Sequence, residues 1–200
     1  MRVLVYTGVF LKNVRELVKV NETDYVIATD GAFDQLLKEK IKIDLVVGDM
    51  DSVKNVKKLK NFEQIKLNVR KDSTDTKKAL EKAFEISSNV ILIGGIQGPR
   101  IEHFIGNLYL FKKFPKLIMV DNNSKIYLTK PGIYRVEKGR YINIFSYPKC
   151  ILTLTGFEYN LNEYHLELYD SLIISNEVNK LYGEIEILEG NAIVIETKKD

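Results

Sequence analysis

The chain reads as an α/β N-terminal domain with a mostly parallel sheet, followed by an all-β sandwich C-terminal domain. Three observations carry that reading. As far as Asp121, short apolar runs alternate with segments of helical periodicity. Beyond Ser124 the pattern becomes short strands and turns with no helix. The chain of 200 residues is 45% apolar and 28% charged, enough for a substantial core inside a soluble protein.

In the first part, residues 3–6, 25–28, 44–47, 89–93 and 117–120 are short, β-branched-rich and bounded by turn residues. Such runs suit parallel strands buried on both faces. Between them, Phe33, Leu36 and Leu37 mark a short helix. In residues 74–86 the apolar positions Ala79, Leu80, Ala83, Phe84 and Ile86 recur mostly at helical spacing. Phe104, Leu108 and Phe111, with Ile101 and Ile105, mark another helix after the fourth run. Strand and helix in alternation imply right-handed crossovers.

After Asp121-Asn122-Asn123-Ser124 the expected strands are 125–129, 133–136, 141–145, 151–154, 172–175, 183–188 and 192–196. Turns at Lys130-Pro131-Gly132 and Glu189-Gly190-Asn191 separate two of these pairs. The expected domains are therefore residues 1–122 and 123–200, and the absence of a low-complexity linker suggests that they pack together.

Thirty basic and 27 acidic residues leave a net charge of +3 with no basic block, so nothing favours nucleic acid or an anionic membrane. A single cysteine, Cys150, excludes an intrachain disulfide and a cysteine-based zinc cluster. The apolar start at residues 3–6 is too short for a signal peptide, and no run approaches a membrane span. A cytoplasmic address is expected.

Chemistry-bearing residues follow the strands of the first part. The third run ends in Gly48-Asp49-Met50-Asp51-Ser52. If the chain stays extended, Asp49 and Asp51 point to one side, and two carboxylates so close call for a cation or a shared proton. A Mg²⁺ site is one reading and a solvated acidic loop the other. Asp30-Gly31 follows the second run, where Asp30 either faces a ligand or caps the helix. Asp72, Thr74, Asp75 and Lys78 open the longest helix. They read as capping residues, or as carboxylates for metal beside an ammonium for phosphate. Gly94-Gly95 through Arg100, Glu102, His103 and Asn107 follows the fourth run. Glycines there permit backbone to approach an anion, and a forked guanidinium grips phosphate. His103 is either a base or donor at the site or a structural histidine, and His165 reads as structural.

Together, Asp30-Gly31, Gly48-Asp49-Met50-Asp51-Ser52, Asp72-Ser73-Thr74-Asp75 and Gly95 to Asn107 resemble the thiamin pyrophosphokinase (thiamin diphosphokinase) family. The likeness extends to residues 152–161 and to Ile174-Ser175-Asn176-Glu177, hence over nearly the whole chain. It implies a nucleotide-binding α/β domain and a β-sandwich serving thiamin binding and dimerisation. It also implies a homodimer, Mg²⁺, and transfer of the diphosphoryl group of ATP to thiamin, with AMP as the other product. By resemblance, Asp49, Asp51 and Asp75 hold metal and phosphates, with Arg100 and Glu102 joining them as catalytic residues. Asp30, Gly31, Ser52, Asp72, Thr74, Lys78, His103 and Asn107 surround the nucleotide, and Ser175 and Asn176 border thiamin. Glu102 stands where the family usually has aspartate, Pro99 replaces a usual glycine, and Ala32-Phe33 replaces Gly-Ala. With no tryptophan in the chain, any stacking on thiamin falls to tyrosine or phenylalanine. The alternatives are diphosphoryl transfer to another alcohol, such as a hydroxymethylpterin, and a nucleotide- or thiamin-binding module without turnover.

Overall fold

Six parallel strands organise the first half of the computed structural model, which describes residues 1–8, 11–68 and 73–199. They are β1 (Val3–Tyr6), β2 (Tyr25–Thr29), β3 (Leu45–Gly48), β4 (Glu63–Lys66), β5 (Val90–Ile93) and β6 (Ile118–Val120). Their order across the sheet is β6-β5-β1-β2-β3-β4. The chain steps outward from β1 to β4, then returns to add β5 on the opposite side of β1. The order therefore reverses between β1 and β5, and in such sheets ligands bind outside the carboxyl ends of the strands at that reversal.

Helices α1 (Val14–Leu17), α2 (Asp30–Lys38), α3 (Val56–Leu59), α4 (Asp75–Ile86) and α5 (Ile101–Tyr109) connect the strands. Alternate side chains Leu4, Tyr6, Val26, Ala28 and Ile93 share one core cluster with Ala32 and Leu36 of α2. Helix α4 buries Ala79, Leu80 and Ala83 and packs across β1, β2, β3 and β5. The five expected strands of this half are present. β4 went unread because three of its four residues are exposed and polar, leaving no apolar run at this sheet edge. In α5, Ile101 and Ile105 point outward, 64% and 47% exposed, although their spacing had marked them as a packed face.

The second half comprises β7 (Ser124–Thr129), β8 (Gly132–Glu137), β9 (Arg140–Thr155), β10 (Leu161–Leu166), β11 (Asn176–Glu177) and β12 (Tyr182–Lys198). Two strands, β9 and β12, are long enough to serve two layers. The C-terminal part of β12 pairs with β7 and with the start of β9, which also carries β11. The N-terminal part of β12 pairs with β8 and with the end of β9, which also carries β10. Ile142, Ile144 and Val194 of the first layer share one core with Leu152, Leu154, Val136 and Ile185 of the second. That is a β-sandwich with two strands common to both sheets.

Four expected strands are thus two continuous ones. The segment read as a turn at residues 189–191 is a double irregularity inside β12. Residues 172–175 form a turn rather than a strand, and β10 was not expected. Contacts within the chain divide it into two compact units, Met1–Asn122 and Asn123–Asp200. Among the described residues no helix is long and apolar enough to cross a membrane.

Candidate active site

The acidic residues after β2 and β3 converge. Strand pairing sets Thr29 beside Val47, so Asp30 comes level with Gly48 on the next strand. Gly48 leaves the space Asp30 needs: a Cβ there would lie 2.7 Å from the Asp30 Cγ. One carboxylate oxygen each from Asp30, Asp49 and Asp51 lies within 4.8 Å of the others. The backbone does not remain extended between the latter two, so strand alternation is not what brings them together. β3 ends at Gly48, and Met50 adopts a left-handed conformation with φ 69°. The carboxylates therefore meet through a turn, in which the Asp51 amide donates to Asp49 Oδ1 at 3.3 Å. The Ser52 hydroxyl donates to Asp51 at 2.9 Å.

Asp30 is buried and heads α2, accepting from the Gly31 amide at 2.7 Å. Burial pushes its carboxyl up, the Gly31 amide partly offsets this, and the charges of Asp75 and Asp49 add to the rise, bringing it to about 6. Asp34, one turn along α2, fixes the loop beyond the acidic turn. It accepts from the Lys54 amide at 2.6 Å, from the Asn55 amide at 3.1 Å and from the Asn55 side chain. Burial opposes its ionisation, but these donors hold the Asp34 carboxyl below its ordinary value.

Asp30, Asp49, Asp51, Asp75, Arg100 and His103 line one open cleft of about 620 Å³, joined by Gly31, Ser52 and Thr74. Thr74 caps α4, its hydroxyl accepting from the Lys77 amide at 3.2 Å. Arg100 immediately precedes α5, so the glycine loop delivers its side chain to the cleft wall facing the acids. Asn107 is buried and donates to the Gly95 carbonyl at 2.9 Å, which makes it a strut of that loop.

Other expected residues lie elsewhere. Lys78 is absent from the cleft lining and pairs with Glu81 at 2.9 Å, while Lys113 holds the other oxygen of Glu81 at 2.5 Å. Glu102 is exposed and borders an adjoining depression with Lys77 and His103, not the acid cleft. Asp72 lies outside the described residues. Asn176 is buried, with its side chain engaged by the Tyr159 amide and carbonyl and by the Glu177 amide, at 2.8–3.1 Å. Its neighbour Ser175 is exposed at a left-handed φ of 58°. Thr7 and Gly8 line the cleft yet carry no motif, and Thr76, inside the segment that opens the longest helix, joins them there. The available signal was position alone: Thr7-Gly8 follows the central strand, where a ligand is expected.

Comparison with known proteins gives the family. A family model described as thiamin pyrophosphokinase, catalytic domain, matches residues 17–128. A second, thiamin pyrophosphokinase, vitamin B1 binding domain, matches residues 130–198. The thiamine pyrophosphokinase of Bacillus subtilis (strain 168) is 39% identical over 134 residues, covering 62% of this chain and 63% of that protein. The match thus spans less than two thirds of the relative's length. A crystal structure of thiamine pyrophosphokinase from Bacillus subtilis superposes with a TM-score of 0.89 at 29% identity, covering 100% of both chains. One from Geobacillus thermodenitrificans gives 0.85 at 25% identity, over 100% of this chain and 99% of the other. With its acids and arginine on the carboxyl ends of a parallel sheet and both family models matched in series, the chain belongs to the thiamin pyrophosphokinase family.

Proposed function

We propose that the protein transfers the diphosphoryl group of ATP to the hydroxyethyl oxygen of thiamin, forming thiamin diphosphate and AMP. One observation carries the proposal: three carboxylates converge within 4.8 Å on the cleft that also receives Arg100. Hard oxygen donors in that number suit Mg²⁺, and a carboxyl raised to about 6 by burial, with the charges of Asp75 and Asp49 adding to the rise, marks a place where a cation relieves repulsion. Asp30, Asp49 and Asp51 would hold the ion, with Asp75 on the same cleft. Bound there, Mg²⁺ neutralises charge on the phosphate oxygens.

The chain's own groups do the rest. Arg100 grips phosphate oxygens from the opposite wall and stabilises the charge that builds as the alcohol attacks the β-phosphorus and AMP departs. Thr74 and Gly31 bring the starts of α4 and α2, the positive ends of two helix dipoles, toward the same anion. His103 stands beside Arg100 and orients the incoming alcohol. The match to a vitamin B1 binding domain supports thiamin as the acceptor and Ser175 as a contact. We assign Asn176 to holding the loop that presents Ser175, since its own side chain is engaged.

A homodimer in the cytoplasm fits this reading. Leu168, Tyr169 and Leu172, close in sequence to Ser175, are 73%, 86% and 51% exposed, an apolar surface suited to a second copy. Sedimentation should return twice the chain mass. The decisive assay is AMP release from MgATP on adding thiamin. Release with a hydroxymethylpterin but not thiamin would overturn the acceptor, and MgATP binding without release would overturn turnover.

A further inference from the structure

Thr7 and Thr76 sit where the two walls of the cleft meet. Thr7 directly follows β1, at the reversal of strand order. Its hydroxyl lies 2.6 Å from that of Thr76 in the first turn of α4, and each residue is only 7% exposed. On its other side Thr7 abuts the glycine loop. A Cβ on Gly94 would lie 2.7 Å from the Thr7 carbonyl oxygen, and one on Gly95 2.9 Å from the Thr7 methyl. Asn107 holds Gly95 from behind. Asn107, Gly95, Thr7 and Thr76 thus form a continuous run from α5 and the Arg100 loop to the helix start that bears Thr74 and Asp75.

The geometry points to Thr7 as a positioning residue that keeps the Arg100 wall in register with the Asp75 wall through the Thr76 hydroxyl. The inference rests on the diphosphoryl-transfer reading above and assigns part of its precision to residues outside the acidic motif. Two hydroxyl oxygens approach about 1 Å closer than two carbons, whose best separation is roughly 3.5–4.0 Å. An apolar pair of the same shape therefore fills the space but spreads the walls, and a misplacement of about 1 Å costs on the order of 100-fold in rate. Stability responds differently: one hydroxyl stranded in the interior is costly, whereas replacing both is nearly neutral.

The test compares Thr7→Val, Thr7→Ser and the double variant Thr7→Val/Thr76→Val by melting temperature, MgATP affinity from calorimetry, and AMP release with thiamin. Thr7→Val should lose both stability and rate. The double variant should regain a melting temperature near wild type while kcat stays roughly 30- to 100-fold low and MgATP binds about tenfold more weakly. Thr7→Ser keeps the hydroxyl but gives up the methyl that faces Gly95, so it should lose some stability while its kcat and MgATP affinity stay much closer to wild type than those of Thr7→Val. Recovery of kcat together with melting temperature in the double variant would overturn the inference, as would Thr7→Ser being as slow as Thr7→Val. If wild type binds MgATP but releases no AMP with thiamin, the reaction assignment fails and affinity decides: a tenfold loss in the double variant sustains the positioning role, and unchanged affinity ends it.

Discussion

Gly48 and Asp30 form a pair in which the smaller residue decides the chemistry of the larger. In Gly48→Ala the new methyl meets the Asp30 carboxyl group, and the shortest way out is for Asp30 to turn from the acidic cluster. Mg²⁺ affinity should fall at least about tenfold, measured by calorimetry, with little change in far-UV circular dichroism. Asp51→Ala is more direct. Loss of one cation-holding carboxylate should reduce AMP release about a thousandfold, roughly 4 kcal/mol of transition-state stabilisation, in a protein that still folds. Near-wild-type turnover would refute the assignment. Asp30 also sets a pH dependence. Its carboxyl is raised in the folded protein, so its contribution to metal-free stability is complete below the unfolded value near 4 and disappears as pH rises through about 6. Cation binding runs the other way: Mg²⁺ competes with the proton, so its affinity should decline as pH falls below about 6. A titration of apparent Mg²⁺ affinity from pH 5 to pH 8 checks this, and a flat profile would count against Asp30. The acidic motif was legible in the residues themselves. The inclusion of Asp30 in the tight trio was not, because it depends on the register between β2 and β3.

Elements differ in how plainly they announce themselves. Central strands such as β1 and β5 are apolar throughout because both faces are covered, so a run of four residues suffices to find them. The edge strand β4 is held by backbone pairing to β3 and advertises nothing in its side chains. Turn chemistry misled the reading of β12. Glu189-Gly190-Asn191 has the composition of a hairpin loop, yet the strand continues through it. Gly190 there has φ 75°, and a Cβ would stand 2.0 Å from the Lys149 carbonyl oxygen, where β9 and β12 pass together between the layers. Gly190→Ala must therefore displace backbone. It should lower the melting temperature by roughly 10 °C, equivalent to about 3 kcal/mol. An unchanged Tm would show that the corner yields freely. Lys78 illustrates the same limit in a helix. Spacing alone put it on the face of Asp75, but Glu81, one turn on, takes its charge.

At the scale of the whole molecule, fold class could be read because the change from helix-and-strand alternation to continuous β-pattern is abrupt, and the two compact units follow that change in grammar. What lay beyond reading was which distant residues meet. Thr7 and Thr76 are 69 positions apart and adjoin only once the sheet order is known. Ligand linkage tests the assembled site as a unit. MgATP at a hundredfold excess over its Kd should add about 2.7 kcal/mol to stability. That would raise the melting temperature by roughly 5–10 °C, with no rise in Asp51→Ala.

Because every strand of the first sheet runs the same way, its two rims have different duties, and the one away from the cleft is available to the experimenter. Ser88 lies there, exposed in the tight bend that feeds β5. The native thiol, Cys150, is buried, and burial raises it to about 11, so it will resist alkylation at neutral pH. A Ser88→Cys variant should accept a single maleimide dye or surface tether without obstructing nucleotide entry, giving an immobilised or fluorescent reagent from one substitution.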